Sequence, residues 1–176
     1  MHHTICDYIT DITQNSIEAG ASLISIDFKD SNNIIEVIIT DNGKGMDEET
    51  IKKVLDPFYT DSDKKHERDV GLGLPFLAQG IQQSQGEIYI QSEKDKGTTI
   101  KFSFNTKNID TPPIGDKIIT YLSLINFPGE FNLAIQEYKE TEKTSFSKKE
   151  LVEALGDINT SESLSLLKKY LKDNIL

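Results

Sequence analysis

A chain of 176 residues has room for one ordinary domain, or for one domain with a modest appendage. Apolar residues at 36% and charged residues at 27%, with six Tyr and eight Phe, supply a packed core and exclude wholesale disorder. The 19 Lys and Arg against 29 Asp and Glu leave a net charge of −10 without a basic run, which argues against sequence-independent nucleic-acid binding, and no apolar run approaches the roughly 20 residues that cross a bilayer.

Residues 4–19 read as a helix, because Ile5, Tyr8, Ile9, Ile12 and Ile17 recur near helical spacing and Gly20 sits where a helix would stop. The opposite stripe carries Asp7, Asp11 and Asn15, each four residues apart. Cys6 has no second cysteine to pair with and reads as a small apolar filler. Strand-like runs at 23–29 and 34–40, split by Asp30-Ser31-Asn32-Asn33, make a hairpin. The second run is apolar enough to be buried over most of its length. Asp41-Asn42-Gly43-Lys44-Gly45-Met46 follows directly, and Asp47 then caps a short helix over 48–55. Residues 60–69 are polar and unpatterned and read as a loop. Val70-Gly71-Leu72-Gly73-Leu74-Pro75 leads into a helix ending near Ser84, and 87–91 with 98–104 form a second hairpin around Lys94-Asp95-Lys96-Gly97. This order predicts an α+β fold, a two-layer α/β sandwich with a mixed sheet covered by helices on one face.

Beyond Thr111-Pro112-Pro113 the composition changes. A helix over 115–126, a strand over 131–138 with a short partner ending at Phe146, and two closing helices are expected. Ser147-Lys148-Lys149-Glu150 opens the first of these as a capping box, and Gly156 ends it. The reading divides the chain into a domain over 1–107 and a small C-terminal α/β extension over 108–176, to which no enzymatic pattern attaches.

Asp11 and Asn15 project from one helical face, one turn apart. An amide oxygen is a hard, neutral ligand suited to Mg²⁺, and a carboxylate one turn away can orient or deprotonate a water or hydroxyl attacking a phosphate. Polar helix faces are also commonly just solvated. Asp41 can accept a hydrogen bond from an exocyclic amine, with Gly43 and Gly45 letting the backbone pass close to a flat base; Asp-Asn-Gly is equally an ordinary turn. Gly71 and Gly73 open a helix whose amino end offers N–H groups to phosphate oxygens. Gly97-Thr98-Thr99 by itself marks only a turn entering a strand. An acidic chain needs magnesium or local basic groups to hold an anionic nucleotide.

Taken in this order, the clusters resemble the GHKL superfamily of the Bergerat fold, which includes the histidine kinases, type II topoisomerase ATPase domains, MutL-like repair proteins and heat-shock chaperones. Asn15 matches the N-box asparagine that binds the metal, and Asp41 to Met46 match the G1 box, with Asp41 as the adenine-recognising acid. Pro57-Phe58-Tyr59-Thr60 looks like the F box of the kinase branch; Gly71-Leu72-Gly73-Leu74 carries the G2 glycines, and Gly97-Thr98 looks like the G3 element. The resemblance spans residues 4–105 and implies ATP and Mg²⁺ as cofactors. It also implies an ATP lid over 60–70, where Lys64, Lys65, His66 and Arg68 sit; Lys64 and above all Arg68 are the expected phosphate contacts.

The chain departs from a sensor kinase in two ways. The N box opens at Asp11, which leaves no space ahead of it for a helical hairpin bearing a phosphoacceptor, and His2 and His3 lack the acid and arginine context of one. The expectation is a stand-alone form, close to the kinase and anti-sigma-factor branch, without autophosphorylation in cis. Secondly, ordinary histidine kinases commonly carry Asn one turn before the metal ligand, whereas the ATPase branches and the anti-sigma-factor kinases carry an acid, typically Glu, as general base. Asp11 supplies that acid with one methylene less, and Glu67-Arg68 before the glycine pair is similar to the anti-sigma-factor lid. The C-terminal segment resembles the tail of small stand-alone ATPase-like proteins of anaerobic bacteria. The resemblance thus implies a Mg-ATP-binding protein that hydrolyses ATP or transfers its γ-phosphoryl group to a partner protein. The alternatives are a serine kinase and binding module of the anti-sigma type, or a non-catalytic nucleotide-sensing regulator. A cytoplasmic location, a protein partner or phosphoacceptor, no nucleic acid and no membrane insertion are expected, with a homodimer left open.

Overall fold

Local hydrogen bonding decides where each element begins. The computed structural model describes residues 4–54 and 73–175. Helix α1 (Ile5–Glu18) starts at a capping box: the Asp7 N–H donates to Thr4 Oγ1 at 3.1 Å, and the Thr4 N–H donates to Asp7 Oδ2 at 2.9 Å. Asp7 therefore serves the cap, while Asp11 and Asn15 continue along the helix. Two further first-turn donors, the N–H groups of Ile5 and Cys6, reach the carbonyls of Pro113 and Ile114, each at 2.9 Å. The segment after the last hairpin thereby satisfies the start of the first helix.

Strands β1 (Leu23–Ser31) and β2 (Ile34–Asp41) are joined by Asn32 and Asn33 at φ 53° and 63°, the two-residue primed turn that Asn favours. Helices α2 (Glu48–Val54) and α3 (Gly73–Gln83) precede the hairpin of β3 (Ile88–Glu93) and β4 (Gly97–Asn105). Then come α4 (Lys117–Ile125), β5 (Asn132–Lys139), β6 (Glu142–Ser147), α5 (Lys148–Leu155) and α6 (Ser161–Asn174). Asp116, Ser147 and Thr160 cap the last three helices through their side chains, and Gly156 closes α5 at φ 75°.

The six strands among the described residues lie in one sheet, in the order β3-β4-β2-β1-β5-β6. Every neighbouring pair is antiparallel except β1 with β5, which run parallel from Leu23 opposite Asn132 to Asp30 opposite Lys139. The segment over 108–176, read from sequence as an extension, thus lengthens the sheet of the preceding segment and shares its core. Ile24, Ile26, Phe28, Ile35, Val37, Ile39, Phe102, Phe104, Leu133, Ile135 and Phe146 turn to one face and pack with Ile5, Ile9 and Ile12 of α1, Leu77 of α3, Leu124 of α4 and Leu167 of α6. That is the two-layer α+β architecture.

The structure corrects one expectation. Strand β2 is buried on one face only: Ile35, Val37 and Ile39 point inward, while Ile34 is 40% exposed and Ile38 is half-buried. Its apolar run hides an alternation, because isoleucine also tolerates the open face of a sheet.

One buried carboxylate organises the added layer. Glu137, only 1% exposed on the core side of β5, accepts from Tyr121 Oη at 2.8 Å and from Lys117 Nζ at 3.1 Å, both on α4. Burial, and then the adjacent Glu137 charge, push the Tyr121 phenol well above its ordinary range, so it remains a donor. The Cys6 thiol nearby is likewise pushed up by burial, against a lowering hydrogen bond from Thr120, which leaves it unreactive filler. Replacing Glu137 by Leu removes the acceptor both α4 donors use; the expected loss is about 3 kcal/mol of unfolding free energy, read from urea denaturation.

Candidate functional site

Helix α1 buries Ile5, Ile9 and Ile12 on one side, and its remaining surface holds Asp11 and Asn15, both partly exposed. Ser16, next in the chain to Asn15, is 4% exposed and falls on the border between those surfaces. Its hydroxyl lies 2.6 Å from Asp41 Oδ2 and 3.2 Å from the Ile12 carbonyl. Asp41, the last residue of β2, is thereby attached to the last turn of α1. Its other oxygen, Oδ1, accepts from the Gly43 N–H at 2.8 Å.

The turn after β2 is held from three sides. Asn42 Oδ1 accepts from the N–H groups of Ser22 and Leu23, each at 2.9 Å, while its amide nitrogen donates to Ser22 Oγ at 3.0 Å. The Lys44 N–H donates to the Ala19 carbonyl at 3.0 Å, and the Lys44 carbonyl accepts from Asp95 N–H at 2.7 Å. The Met46 N–H donates to Ser92 Oγ at 2.8 Å; Ser92 Oγ also lies 3.0 Å from the Gly97 carbonyl and 2.9 Å from Thr98 Oγ1. Thr98 stands opposite Asp41 in the β2–β4 register.

Glycine here makes room for protein. A Cβ on Gly45, at φ +63°, would land on the Glu93 carbonyl oxygen, and one on Gly97, at φ +108°, on the Asp41 carbonyl oxygen. A Cβ on Gly43 would crowd Ala19 and the Asp41 carboxylate at 3.0–3.1 Å. The space at Gly45 and Gly97 is thus filled by backbone from the facing strand ends, which is the packing reason for glycine at both. At the first residue of α3, a Cβ on Gly73 would stand 3.1 Å from both Cβ and Oδ2 of Asp11. The amino end of α3 therefore abuts the Asp11 carboxylate, with Leu74 buried behind it.

The structure accordingly brings Asp11, Asn15, Asp41, Gly43, Gly45, Met46, Gly73, Leu74 and Thr98 onto α1, the start of α3 and the turns at one end of the sheet. Phe58, Lys64, Arg68, Gly71 and Leu72 lie outside the described residues. Two participants escaped the sequence reading, Ser16 and Ser92. Ser16 had a signal: it takes the next place in the stripe Ile5, Ile9, Ile12, where a polar residue needs a partner. Ser92, on an edge strand among polar neighbours, had none.

Chemically, the arrangement suits an anionic ligand bearing an amine. An ionised carboxylate has about four acceptor positions, and the two bonds to Asp41 leave capacity for a ligand donor. The α3 terminus offers first-turn N–H groups and a positive dipole end suited to phosphate. The Asn15 amide, with no hydrogen-bond partner among the described residues, supplies the oxygen type that Mg²⁺ accepts. The residues present fit a magnesium nucleotide.

Fold and site together define a histidine kinase-like ATPase domain. Residues 3–108 match the family described as histidine kinase-, DNA gyrase B- and HSP90-like ATPase (HATPase_c), and the chain belongs to that family. A putative sensor protein of Shewanella frigidimarina (strain NCIMB 400) is 36% identical over 104 residues, covering 59% of this chain and 15% of that protein. Sporulation kinase E of Bacillus subtilis (strain 168) is 36% identical over 92 residues, 50% of this chain and 12% of the kinase. Sensor histidine kinase WalK of the same organism is 32% identical over 112 residues, 57% and 18% respectively. The matched part is thus under a fifth of each relative's length. Among solved structures, the catalytic domain of histidine kinase ThkA (TM1359) superposes with a TM-score of 0.40 at 20% identity, covering 57% of this chain and 67% of that one. Among the described residues no helix is long and apolar enough to cross a membrane.

Gly45→Ala and Gly97→Ala each force a Cβ into fixed backbone at a positive φ. Each is expected to cost about 3 kcal/mol in chemical denaturation, whereas Gly20→Ala, at φ +76° but with open space around it, is expected to cost about 1 kcal/mol.

Proposed function

We propose that this chain binds ATP with Mg²⁺ and either hydrolyses it or passes its γ-phosphoryl group to a partner protein. The observation that carries the reading is the convergence on α1: Asp41 is bonded to Ser16, Gly73 packs on Asp11, and Asn15 lies between those two points of the helix. In this reading Asp41 accepts the exocyclic amine of adenine, and Thr98 stands beside it. Gly43, Gly45 and Met46 form the turn around the base, with Phe58, Leu72 and Leu74 as apolar lining. The first-turn N–H groups of α3, which Gly73 opens, face the phosphates together with Gly71, and Lys64 and Arg68 add local positive charge in a chain whose net charge is −10. Asn15 holds the metal through its amide oxygen; bound magnesium supplies charge neutralisation across the phosphates.

Asp11 has two readings that the position of Gly73 supports. As a base beside the phosphate-facing helix end, it orients or deprotonates the attacking water or hydroxyl, which favours hydrolysis or transfer to a partner's Ser or Thr. As a carboxylate at a helix amino end it stabilises α3, by about 0.3–1 kcal/mol. The base reading favours an ATPase or serine kinase, in which nucleotide state controls a protein partner, over a passive nucleotide sensor. The setting proposed is cytoplasmic.

MgATP at a hundredfold excess over its dissociation constant is expected to raise the melting temperature by about 5–10 °C. Asp11→Asn is expected to retain that rise and lose steady-state turnover; a lowered apo melting temperature with turnover intact would assign Asp11 to helix capping instead. With labelled ATP and lysate, label is expected on Ser or Thr of one other protein, and label on His of this chain would overturn the reading. By calorimetry, Asp41→Asn is expected to weaken ATP far more than Arg68→Ala does, and equal losses would show adenine recognition to be misassigned.

A further inference from the structure

The described residues grip Asp41 from two independent elements. Ser16 reaches it from α1 at 2.6 Å, and the Gly43 N–H reaches it from the turn at 2.8 Å. The serine has one hydroxyl proton and two acceptors within range. The Ile12 carbonyl at 3.2 Å is the usual back-bond of a helical serine, but the carboxylate is 0.6 Å closer (3.2 against 2.6) and gives the stronger, charge-assisted bond. At 4% exposure the hydroxyl has almost no water to turn to.

We propose that Ser16 is a positioning residue that sets the nucleobase preference of the site by fixing the Asp41 carboxylate as an acceptor. The inference rests on the nucleotide reading given above and names what that reading lacks, the group that makes Asp41 selective. Each oxygen of Asp41 already receives one donor from the protein. The torsions of the side chain are therefore set before any ligand arrives, and the lone pairs left over face a fixed direction. A ligand edge that donates, such as the amine of adenine, is accepted without reordering the side chain. One that presents a carbonyl there, as guanine does, meets acceptor against acceptor.

The same bond has a second consequence. Asn15 and Ser16 are consecutive on α1, so the group that would hold the metal and the group that aims Asp41 move together. Base and phosphate recognition then share one rigid element, and loosening the serine bond separates them.

The test compares ATP and GTP binding, in magnesium, by calorimetry across four proteins: the parent, Ser16→Ala, Asp41→Asn and the double variant. Ser16→Ala is expected to weaken ATP about tenfold while changing GTP little, so that the preference for ATP narrows. On the Asp41→Asn background the same change is expected to have no further effect, because Ser16 acts through the carboxylate. Ser16→Thr, which keeps the hydroxyl, is expected to restore most of the preference. Ser16→Ala binding ATP like the parent, or losing as much ATP affinity with Asn at position 41 as with Asp, would overturn the proposal. A fall in apo melting temperature with the ATP-to-GTP ratio unchanged would likewise reduce Ser16 to a packing residue. Asp41→Asn leaving ATP binding intact would overturn the assignment of adenine to Asp41 and the proposal with it, whereas a parent protein that bound neither nucleotide would remove the underlying nucleotide reading, and so the two failures are distinguished.

Discussion

The contact between Ser16 and Asp41 joins the helical layer to the end of the sheet at the point where the site is built. A helix lying on a sheet is free to slide by a fraction of a turn so long as its apolar stripe stays covered. A partly buried, charge-assisted hydrogen bond removes that freedom, because its strength falls steeply with distance and angle. The placement of Asp11 against Gly73, one turn and more back along the same helix, follows from where that bond fixes α1. The turn after β2 is secured separately, by Asn42 on the start of β1 and by Ser92 on the facing hairpin. The site is thus assembled from short polar bonds superimposed on an apolar core, and the core alone would leave its register undetermined.

Much of this was open to reading in the sequence, for identifiable reasons. Ser147 and Gly156 mark helix ends because capping is local chemistry, and Asn32-Asn33 marks a hairpin because only a few residues accept a positive φ. Asp11 and Asn15 share a face of α1 by spacing alone. Strand β2 misled because isoleucine occupies both of its faces, so the period of two is visible only in the burial of alternate residues. The glycines of the turn were legible as glycines but not in their purpose: the carbonyls of Glu93 and Asp41 that fill the vacated space belong to residues distant in the chain.

The least legible feature was the place of the C-terminal strands. Nothing in residues 132–139 announces that they lie parallel to residues 23–30, since pairing between distant strands leaves no local mark. The composition change after Thr111 was real, yet it separates stretches of chain that pack into one core. Glu137 carries the same lesson at the level of one side chain: a lone acid in an alternating strand reads as solvent-facing until its partners on α4 are known.

The parallel neighbour of β1 has a consequence for how the chain is made. On a ribosome, β1 can pair with β2 as soon as both have emerged, but its other edge stays bare until the residues of β5 have been synthesised. Throughout that interval a strand edge with unpaired amide groups is presented to the crowded surroundings. Closure then needs a contact between residues about a hundred apart in the chain, the class of event that sets a slow clock for maturation. The nascent chain is at its most vulnerable just before residues 132–139 arrive, and a chaperone or an early-bound ligand would have its greatest effect there.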